Sequence, residues 1–562
     1  MKKLLAIIFI STTLISCKKD ILDVSPKGAL SEVQVAGGPE KLVTAAYSSL
    51  GNDHYTTPWS LWPYGNVRSG DAYKGGRDEA DIQEFYFLEI FKNVRSDLGP
   101  FDGLWFQYYV AISRANSALR ILNTLSEDEF PLKKTRQAEM RFLRGHWFFQ
   151  LKIMFKYVPF MDENLPPAEY ENVSNRALSN DQLWEKIAED FEFAAANLPP
   201  SQSEVGRANK IAATAYLAKT RLYQAYEQDE KHNVTKINTA RLEQVVSLAD
   251  QVIASSYDLE PDFANNFMLG ADNGIESIFA VQHSSNDGTL FGRLNFGDVL
   301  GTPQGIGCCD FNKPSQNLAN SYKTGANGLP MLNDFNNADL NLSTNTVDPR
   351  LNHTIALPGL PWKYDVNETY QQNWNRTPSV YGYFASLKEN VKRDQYIQVG
   401  PFYANAKNRI ILRYADVLLW KAEALIELGR HNDALPLINE IRQRAKNSTS
   451  LLKFSNGNPQ SNYNVDIYKP GVNITWTQDV ARQALRFERR LEFAMEGSRF
   501  FDLVRWGIAD TYMNAYFQTE KTKRDYLKDG LFTKNRDEYL PIPLQQIRFS
   551  HQLYQQNPGY AQ

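Results

Sequence analysis

The sequence has 562 residues, of which 43% are apolar and 22% charged, a balance that excludes a disordered chain, a collagen and a coiled coil. The 61 Lys and Arg nearly cancel the 64 Asp and Glu, and the net charge of -3 lacks the basic excess of a nucleic-acid-binding protein. Aromatic residues make up 12% of the chain, which is a rich supply of flat rings.

The N-terminus has the pattern of an export signal. Lys2 and Lys3 precede an apolar stretch, 4–10, that is too short to span a bilayer. Leu-Ile-Ser-Cys then ends at Cys17 and resembles the bacterial lipobox, in which the chain is cleaved before a cysteine that is acylated. We therefore expect a signal peptide at 1–16 and a lipid-anchored mature chain at 17–562. An ordinary signal peptide with an incidental cysteine is the alternative.

Apolar residues recur at helical spacing in two parts of the chain, about 40–258 and about 406–510. Asn180 or Asp181 is the expected N-cap of one of these helices, and Pro199 ends it. The helix pair at 413–428 and 433–445 has the size of a tetratricopeptide hairpin. The helices predicted from this spacing are 42–50, 101–125, 136–157, 181–198, 208–227, 241–255, 413–428, 433–445 and 477–506.

The helical period fades between about 259 and 405, where Gly, Pro, Asn and Asp are frequent. The adjacent Cys308 and Cys309 lie in this region, and both a disulfide between them and two buried free thiols remain open. The segment from about 511 to 562 is also predicted to be irregular. The sequence thus predicts a mainly α protein, a tetratricopeptide-like helical hairpin scaffold with a large loop-rich insertion.

Several ordered blocks resemble the SusD/RagB family of Bacteroidetes surface lipoproteins. The N-terminal blocks contain Arg-Ala-Asn at 114–116 and Arg-Phe-Leu-Arg-Gly at 141–145. The later blocks contain Arg-Tyr-Ala-Asp at 413–416 and Glu-Gly-Ser-Arg-Phe-Phe-Asp-Leu at 496–503. Further matching blocks are 311–316, 348–350, 438–445, 488–493, 539–543 and 556–560.

The resemblance implies an outer-membrane lipoprotein that captures oligo- or polysaccharide in a variable ligand-binding lobe and needs no cofactor. It implies delivery of the glycan to a TonB-dependent SusC-like transporter, over which the lipoprotein closes as a lid. The alternative function is peptide binding by a RagB-like protein on the same scaffold. A purely structural lid, with affinity only for the transporter, is a weaker alternative. Outward display is expected from the resemblance, although only one acid, Asp20, follows Cys17 closely.

No catalytic or metal-binding constellation stands out. Glu488, Glu492, Glu496 and Arg499 share a helix face, which fits a structural ion-pair network better than a glycosidase carboxylate pair. The seven histidines lack metal-ligand spacing on a helix, and motifs for nucleophilic hydrolysis or phosphate binding are missing. We therefore expect a protein that is not an enzyme and holds no metal.

Sugar rings stack their C–H faces on aromatic rings and need polar partners for their hydroxyls. Two loop segments, the first at 58–74 and the second at 361–383, offer both, although the same aromatics could instead cap the core beneath long loops. Trp105, Trp147, Trp184, Trp420 and Trp506 follow helical spacing and are assigned to the core. The predicted ligand-binding residues are Trp59, Trp62, Tyr64, Asn66, Arg68, Asp71, Trp362, Tyr364 and Trp374.

Overall fold

The structure is a computed structural model and describes residues 38–288 and 293–561. The predicted signal peptide and Cys17 lie outside these residues. Within them, every helix is either too short or too polar to cross a membrane.

The protein is mainly helical, as the sequence predicts. The helices are α1 (Pro39–Ser48), α2 (Gln83–Ile90), α3 (Gly99–Thr124), α4 (Lys133–Phe155), α5 (Asn180–Asn197), α6 (Lys210–Ala225), α7 (Thr239–Ile253), α8 (Gln316–Ser321), α9 (Arg350–Thr354), α10 (Pro378–Tyr381), α11 (Tyr414–Glu427), α12 (His431–Asn447), α13 (Gln478–Phe493), α14 (Arg499–Arg505), α15 (Ala509–Glu520) and α16 (Leu544–Phe549).

Side-chain caps fix where several of the long helices begin. Ser179, rather than Asn180 or Asp181, caps α5 through a reciprocal capping box with Gln182. Asn209 accepts a hydrogen bond from the amide of Ala212 at the start of α6. These caps satisfy amides that the first helical turn leaves without partners.

Consecutive helices pack on one another from α3 to α7, and α7 packs against α11. The helices on either side of the middle region therefore form one array. The hairpin of α11 and α12 has the predicted tetratricopeptide-like form, because the buried Ala415, Ala422 and Ala424 present small side chains on α11. The five tryptophans assigned to the core, at 105, 147, 184, 420 and 506, are buried.

Two predictions for the C-terminal part were wrong. The expected single helix at 477–506 is divided into α13 and α14, because Met495 and Gly497 adopt left-handed backbone conformations. The segment 511–562 is not wholly irregular, since α15 extends to Glu520 and a short α16 follows.

The middle region folds into short strands that pair two at a time, all antiparallel. Strand β5 reaches back to β1, and β14 pairs with β4, so the insertion is joined to the scaffold. The strands are β1 (Ala72–Gly75), β2 (Tyr226–Gln228), β3 (Val234–Ile237), β4 (Ser277–Val281), β5 (Phe311–Pro314), β6 (Lys323–Thr324), β7 (Thr346–Val347), β8 (Ile355–Ala356), β9 (Pro361–Trp362), β10 (Asp365–Thr369), β11 (Ala385–Ser386), β12 (Ile397–Val399), β13 (Phe402–Ala404) and β14 (Arg409–Arg413).

One large hydrophobic core runs through the helical array, and two small ones lie in the middle region. The first small core contains Trp362, Tyr370 and Trp374. The second contains Leu294 and Val299. The hairpin of β12 and β13 contributes side chains to both, so it lies between them.

Candidate functional site

The three predicted aromatics of the first loop segment are core residues, not an open platform. The Trp59 ring packs edge-on against Trp147 at 4.6 Å between centroids. Trp62, only 2% exposed, packs edge-on against Phe85 at 5.1 Å. Tyr64 is fully buried. The expectation of exposed stacking faces was therefore wrong here, because a short, fully buried π-helical segment at 63–67 folds into the scaffold.

The predicted polar partners in this segment are occupied inside the protein. Asn66 donates to Asn312 and accepts from the amide of Gly497, and Asp71 pairs with Arg490 at 2.8 Å. The Arg68 guanidinium stacks on Phe500 at 3.9 Å and donates to the Asp537 carbonyl. Burial lowers the pKa of Arg68 to about 10. These side chains hold the scaffold together and do not face solvent.

The second predicted segment is also largely buried. Trp362 is fully buried, and its indole N–H donates to the Val391 carbonyl at 3.0 Å. The hydroxyl of half-buried Tyr364 is 2.9 Å from Nδ1 of His353. Trp374 is 9% exposed, and the Arg393 guanidinium lies over its ring at 4.8 Å. Trp374 is therefore the predicted tryptophan that lies nearest to the surface.

A partly exposed aromatic cluster, formed by His54, Tyr55, Phe296 and Phe402, was missed from the sequence. The rings of Tyr55 and Phe402 lie 4.9 Å apart, and those of Phe296 and Phe402 lie 5.6 Å apart. The residues come from three separate segments, so a local sequence pattern does not reveal the cluster. These half-buried rings offer a partly exposed apolar surface.

The aromatic cluster has polar neighbours. Nδ1 of His54 is 2.9 Å from the hydroxyl of Thr56. Burial lowers the pKa of His54, so its ring is neutral at pH 7. Burial also raises the pKa of Asp53 to about 6, against the opposing effect of Arg409. At pH 7 Asp53 is still mostly ionised, so the cluster is bordered by one carboxylate together with hydroxyl and imidazole groups, which suits a polar ligand with hydroxyl groups to donate.

On the other side of the hairpin, Tyr403 and Trp374 enclose a glycine-containing loop at 302–310. The ring of Tyr403 lies directly against Gly307, and that of Trp374 lies directly against Gly305. This loop carries a disulfide between Cys308 and Cys309, which decides between the two alternatives left open by the sequence. The loop, Tyr403 and the aromatic cluster are thus connected through one hairpin.

A pocket of about 150 Å³ lies beside β14, and its walls include Trp59 and Trp62. Charged groups also line it, among them Lys388, whose ammonium pairs with Glu496 at 2.7 Å. Most of the lining side chains are buried. The cavity has room for several waters, and a polysaccharide chain needs an open surface instead.

The carboxylates on α13 belong to a buried ion-pair network. Glu492 pairs with Arg350 at 2.9 Å, with Arg413 at 2.6 Å and with Arg444. Burial alone would raise the pKa of Glu492, but these arginines outweigh it and hold the pKa well below its usual range. A carboxylate held ionised cannot donate a proton, so Glu492 is unsuited to be a general acid.

Within 38–288 and 293–561, no three His, Cys, Asp or Glu side chains are grouped as metal ligands would be.

Comparison with known proteins identifies the family. Residues 275–560 match the SusD family, and residues 22–222 match a SusD-like family described as starch-binding and associating with the outer membrane. A SusD-like protein of Formosa agariphila is 23% identical over 98% of this chain and 97% of its own. A SusD-like protein of Bacteroides ovatus is 25% identical over 94% of this chain and 86% of its own.

Solved structures show the same fold. A SusD-like carbohydrate-binding protein of Bacteroides fragilis has a TM-score of 0.68 at 22% identity, covering 92% of this chain and 98% of its own. A laminarin-binding SusD-like protein has a TM-score of 0.61 at 23% identity, covering 93% of this chain and 99% of its own. A structure with xylogluco-oligosaccharide has a TM-score of 0.65 at 21% identity, covering 91% of this chain and 97% of its own. The chain belongs to the SusD family, a glycan-binding family associated with the outer membrane.

Proposed function

We propose that this protein is a non-catalytic, lipid-anchored glycan-binding protein of the outer membrane. It captures an oligo- or polysaccharide at the cell surface and delivers it to a TonB-dependent SusC-like transporter. The lipobox-like sequence ending at Cys17 supports the anchor. The family description supports the membrane location, and the SusD-like block sequences support the transporter partner.

The partly exposed aromatic cluster is the observation that carries glycan binding. Tyr55, Phe296 and Phe402 offer half-buried rings in the loop-rich insertion and beside it, whereas the tryptophans predicted from the sequence are buried. A pyranose presents a face of C–H groups to such rings, and the nearby Thr56 hydroxyl can bond a sugar hydroxyl. Similar folds that bind laminarin or contain xylogluco-oligosaccharide make neutral β-glucans the first ligands to test.

The test is a glycan-binding panel on residues 20–562. Affinity gels and calorimetry would use laminarin, xylogluco-oligosaccharide, starch and one anionic polysaccharide. Tyr55→Ala and Phe402→Ala each remove one ring of the aromatic cluster, and each should weaken binding about fivefold, because one sugar-ring contact is worth about 1 kcal/mol. Phe549→Ala removes a 50% exposed ring near the C-terminus and is the matched control.

Binding that is weakened in both cluster variants, and unchanged in Phe549→Ala, would support the proposal. Glycan binding that both cluster variants retain would place the ligand elsewhere on the protein. If every glycan fails and a peptide library is retained instead, the peptide-binding alternative is correct.

Two further measurements test the anchor and the partner. Incorporation of labelled palmitate in the native bacterium should disappear in Cys17→Ala. Affinity purification of the full chain from native outer membranes should recover a TonB-dependent channel in stoichiometric amount. Recovery of the protein without a channel would contradict the transporter partnership.

A further inference from the structure

The disulfide between Cys308 and Cys309 joins neighbouring residues, so its role differs from that of an ordinary cross-link. A disulfide stabilises a protein mainly by closing a loop in the unfolded chain, and the effect grows with loop length. A bond between adjacent residues closes almost no chain. Stabilisation of the fold therefore does not account for this disulfide, and its local surroundings indicate another role.

The loop that carries the disulfide is held on both sides. Gly307 and Gly305 lie so close to the rings of Tyr403 and Trp374 that an added Cβ would overlap them, at 2.0 Å and 2.3 Å. The amide of Gly305 donates to the Trp374 carbonyl at 3.2 Å. The Thr302 hydroxyl donates to the Tyr403 carbonyl at 3.1 Å. The position of the loop is thus fixed against the hairpin.

The disulfide is partly exposed. Cys309 is 6% exposed and packs in the main core, whereas Cys308 is half-buried and packs against the same core, so Cys308 provides most of the surface that the pair exposes. A disulfide has polarizable sulfurs and no strong hydrogen-bond donor, so its exposed face is apolar. It is the kind of surface on which the C–H face of a sugar ring can lie.

Polar groups that could hold sugar hydroxyls stand beside it. Gln304 is exposed, and its amide donates to the Gly307 carbonyl at 2.9 Å while its oxygen is free to accept. Arg393 is exposed and donates to the Gly305 carbonyl at 3.2 Å. Both side chains are therefore oriented by the same loop that presents the disulfide.

We propose that the Cys308–Cys309 disulfide, with Tyr403 and Gln304 beside it, is a second sugar-ring contact that extends the aromatic cluster across the hairpin. Its ligand class is a pyranose oligosaccharide long enough to reach both sides of β12 and β13. The inference rests on the proposed glycan-binding function. It assigns binding to a feature that lacks an aromatic ring.

The first experiment compares residues 20–562 with the Cys308→Ala/Cys309→Ala double variant. The probe is whichever of laminarin or xylogluco-oligosaccharide the parent binds. We expect about tenfold weaker binding with an unchanged melting temperature, and the same affinity as the parent in Phe549→Ala. Equal affinity in the double variant and the parent would overturn the proposal.

A second measurement needs no variant, and it tests whether glycan contacts the disulfide even if the double variant fails to fold. Cys308 and Cys309 are the only cysteines of residues 20–562, so reduction and alkylation can be followed by mass spectrometry. Saturating glycan should slow their labelling at least fivefold, and a glycan that does not bind should leave the rate unchanged. Equal labelling rates with and without bound glycan would overturn the proposal.

Failure of the proposed function gives a different result. In that case the parent itself binds neither probe, and the proposed disulfide contact is contradicted together with the proposed function. A parent that binds glycan while the disulfide variant and the labelling rate show no effect overturns the disulfide site alone.

Discussion

Arg413, which precedes α11, and Glu492 on α13 form a buried ion pair with 2.6 Å between Nη1 and Oε1. Arg413 also binds Glu276, which lies just before β4 in the middle region, at 2.7 Å. One guanidinium therefore connects the last helices of the scaffold to the loop-rich insertion. Breaking such a pair from one side leaves a buried charge without compensation.

Glu492→Gln should lower the free energy of unfolding by about 3–5 kcal/mol, because Arg350, Arg413 and Arg444 would lose a shared carboxylate. Urea unfolding followed by circular dichroism measures the change. Arg77→Gln, in an exposed pair with Asp78, is the control and should leave the unfolding midpoint unchanged. Equal midpoints for both variants would contradict a structural role for the network.

Trp62→Ala should act on stability rather than on glycan binding. The ring is buried against Phe85 and Phe311, so its removal leaves a cavity and costs about 3–5 kcal/mol of unfolding free energy. The folded variant should bind glycan with the parent's affinity. A Trp62→Ala protein with full stability and no glycan binding would instead favour the sequence-based prediction that this ring stacks on sugar.

The scaffold was predictable from the sequence because its signals are local. Apolar periodicity placed the helices from α3 to α7, and α11 and α12, within three residues of their ends. The break between α13 and α14 was not predictable in this way. It depends on left-handed backbone at Met495 and Gly497, and Gly497 packs against Gly65 from a distant part of the chain.

The candidate site was harder to predict because its residues are brought together only by tertiary contacts. Trp59 and Trp62 are followed by turn residues, which suggested exposure, but helices α3 and α4 supply Tyr108 and Trp147 to cover Trp59. Tyr55, Phe296 and Phe402 lack a shared local pattern. Their proximity depends on the β12–β13 hairpin, whose position sequence spacing does not reveal.

Gly65→Ala should destabilise the protein by about 3 kcal/mol, because a Cβ at this position would lie 1.9 Å from the Gly497 carbonyl oxygen. The backbone of the α13–α14 connection would have to move. Gly99→Ala is the matched control, since a Cβ there meets nothing within 4 Å, and thermal unfolding should show no loss. A Gly65→Ala melting temperature equal to that of Gly99→Ala would rule out this close backbone contact.

Glu89→Gln should change how stability depends on pH. Burial raises the pKa of Glu89 from 4.5 to about 7, although the Tyr526 hydroxyl, at 2.6 Å, and the amide of Lys74 bond its carboxylate. The native state therefore holds a proton that the unfolded state releases, and this group's contribution to stability falls as pH rises from about 4.5 to about 7.

The amide of the Gln variant keeps an oxygen for the same two donors and does not ionise. The difference in unfolding free energy between variant and parent should grow in favour of the variant across this window. It should reach up to about 3 kcal/mol at pH 7, at about 1.4 kcal/mol per pKa unit. Tyr526→Phe removes a donor to the carboxylate, so it should raise the pKa of Glu89 further and extend the window upward. Urea unfolding at intervals from pH 4 to pH 8 tests both, and a pH-independent difference between Glu89→Gln and the parent would show that Glu89 does not titrate in this range.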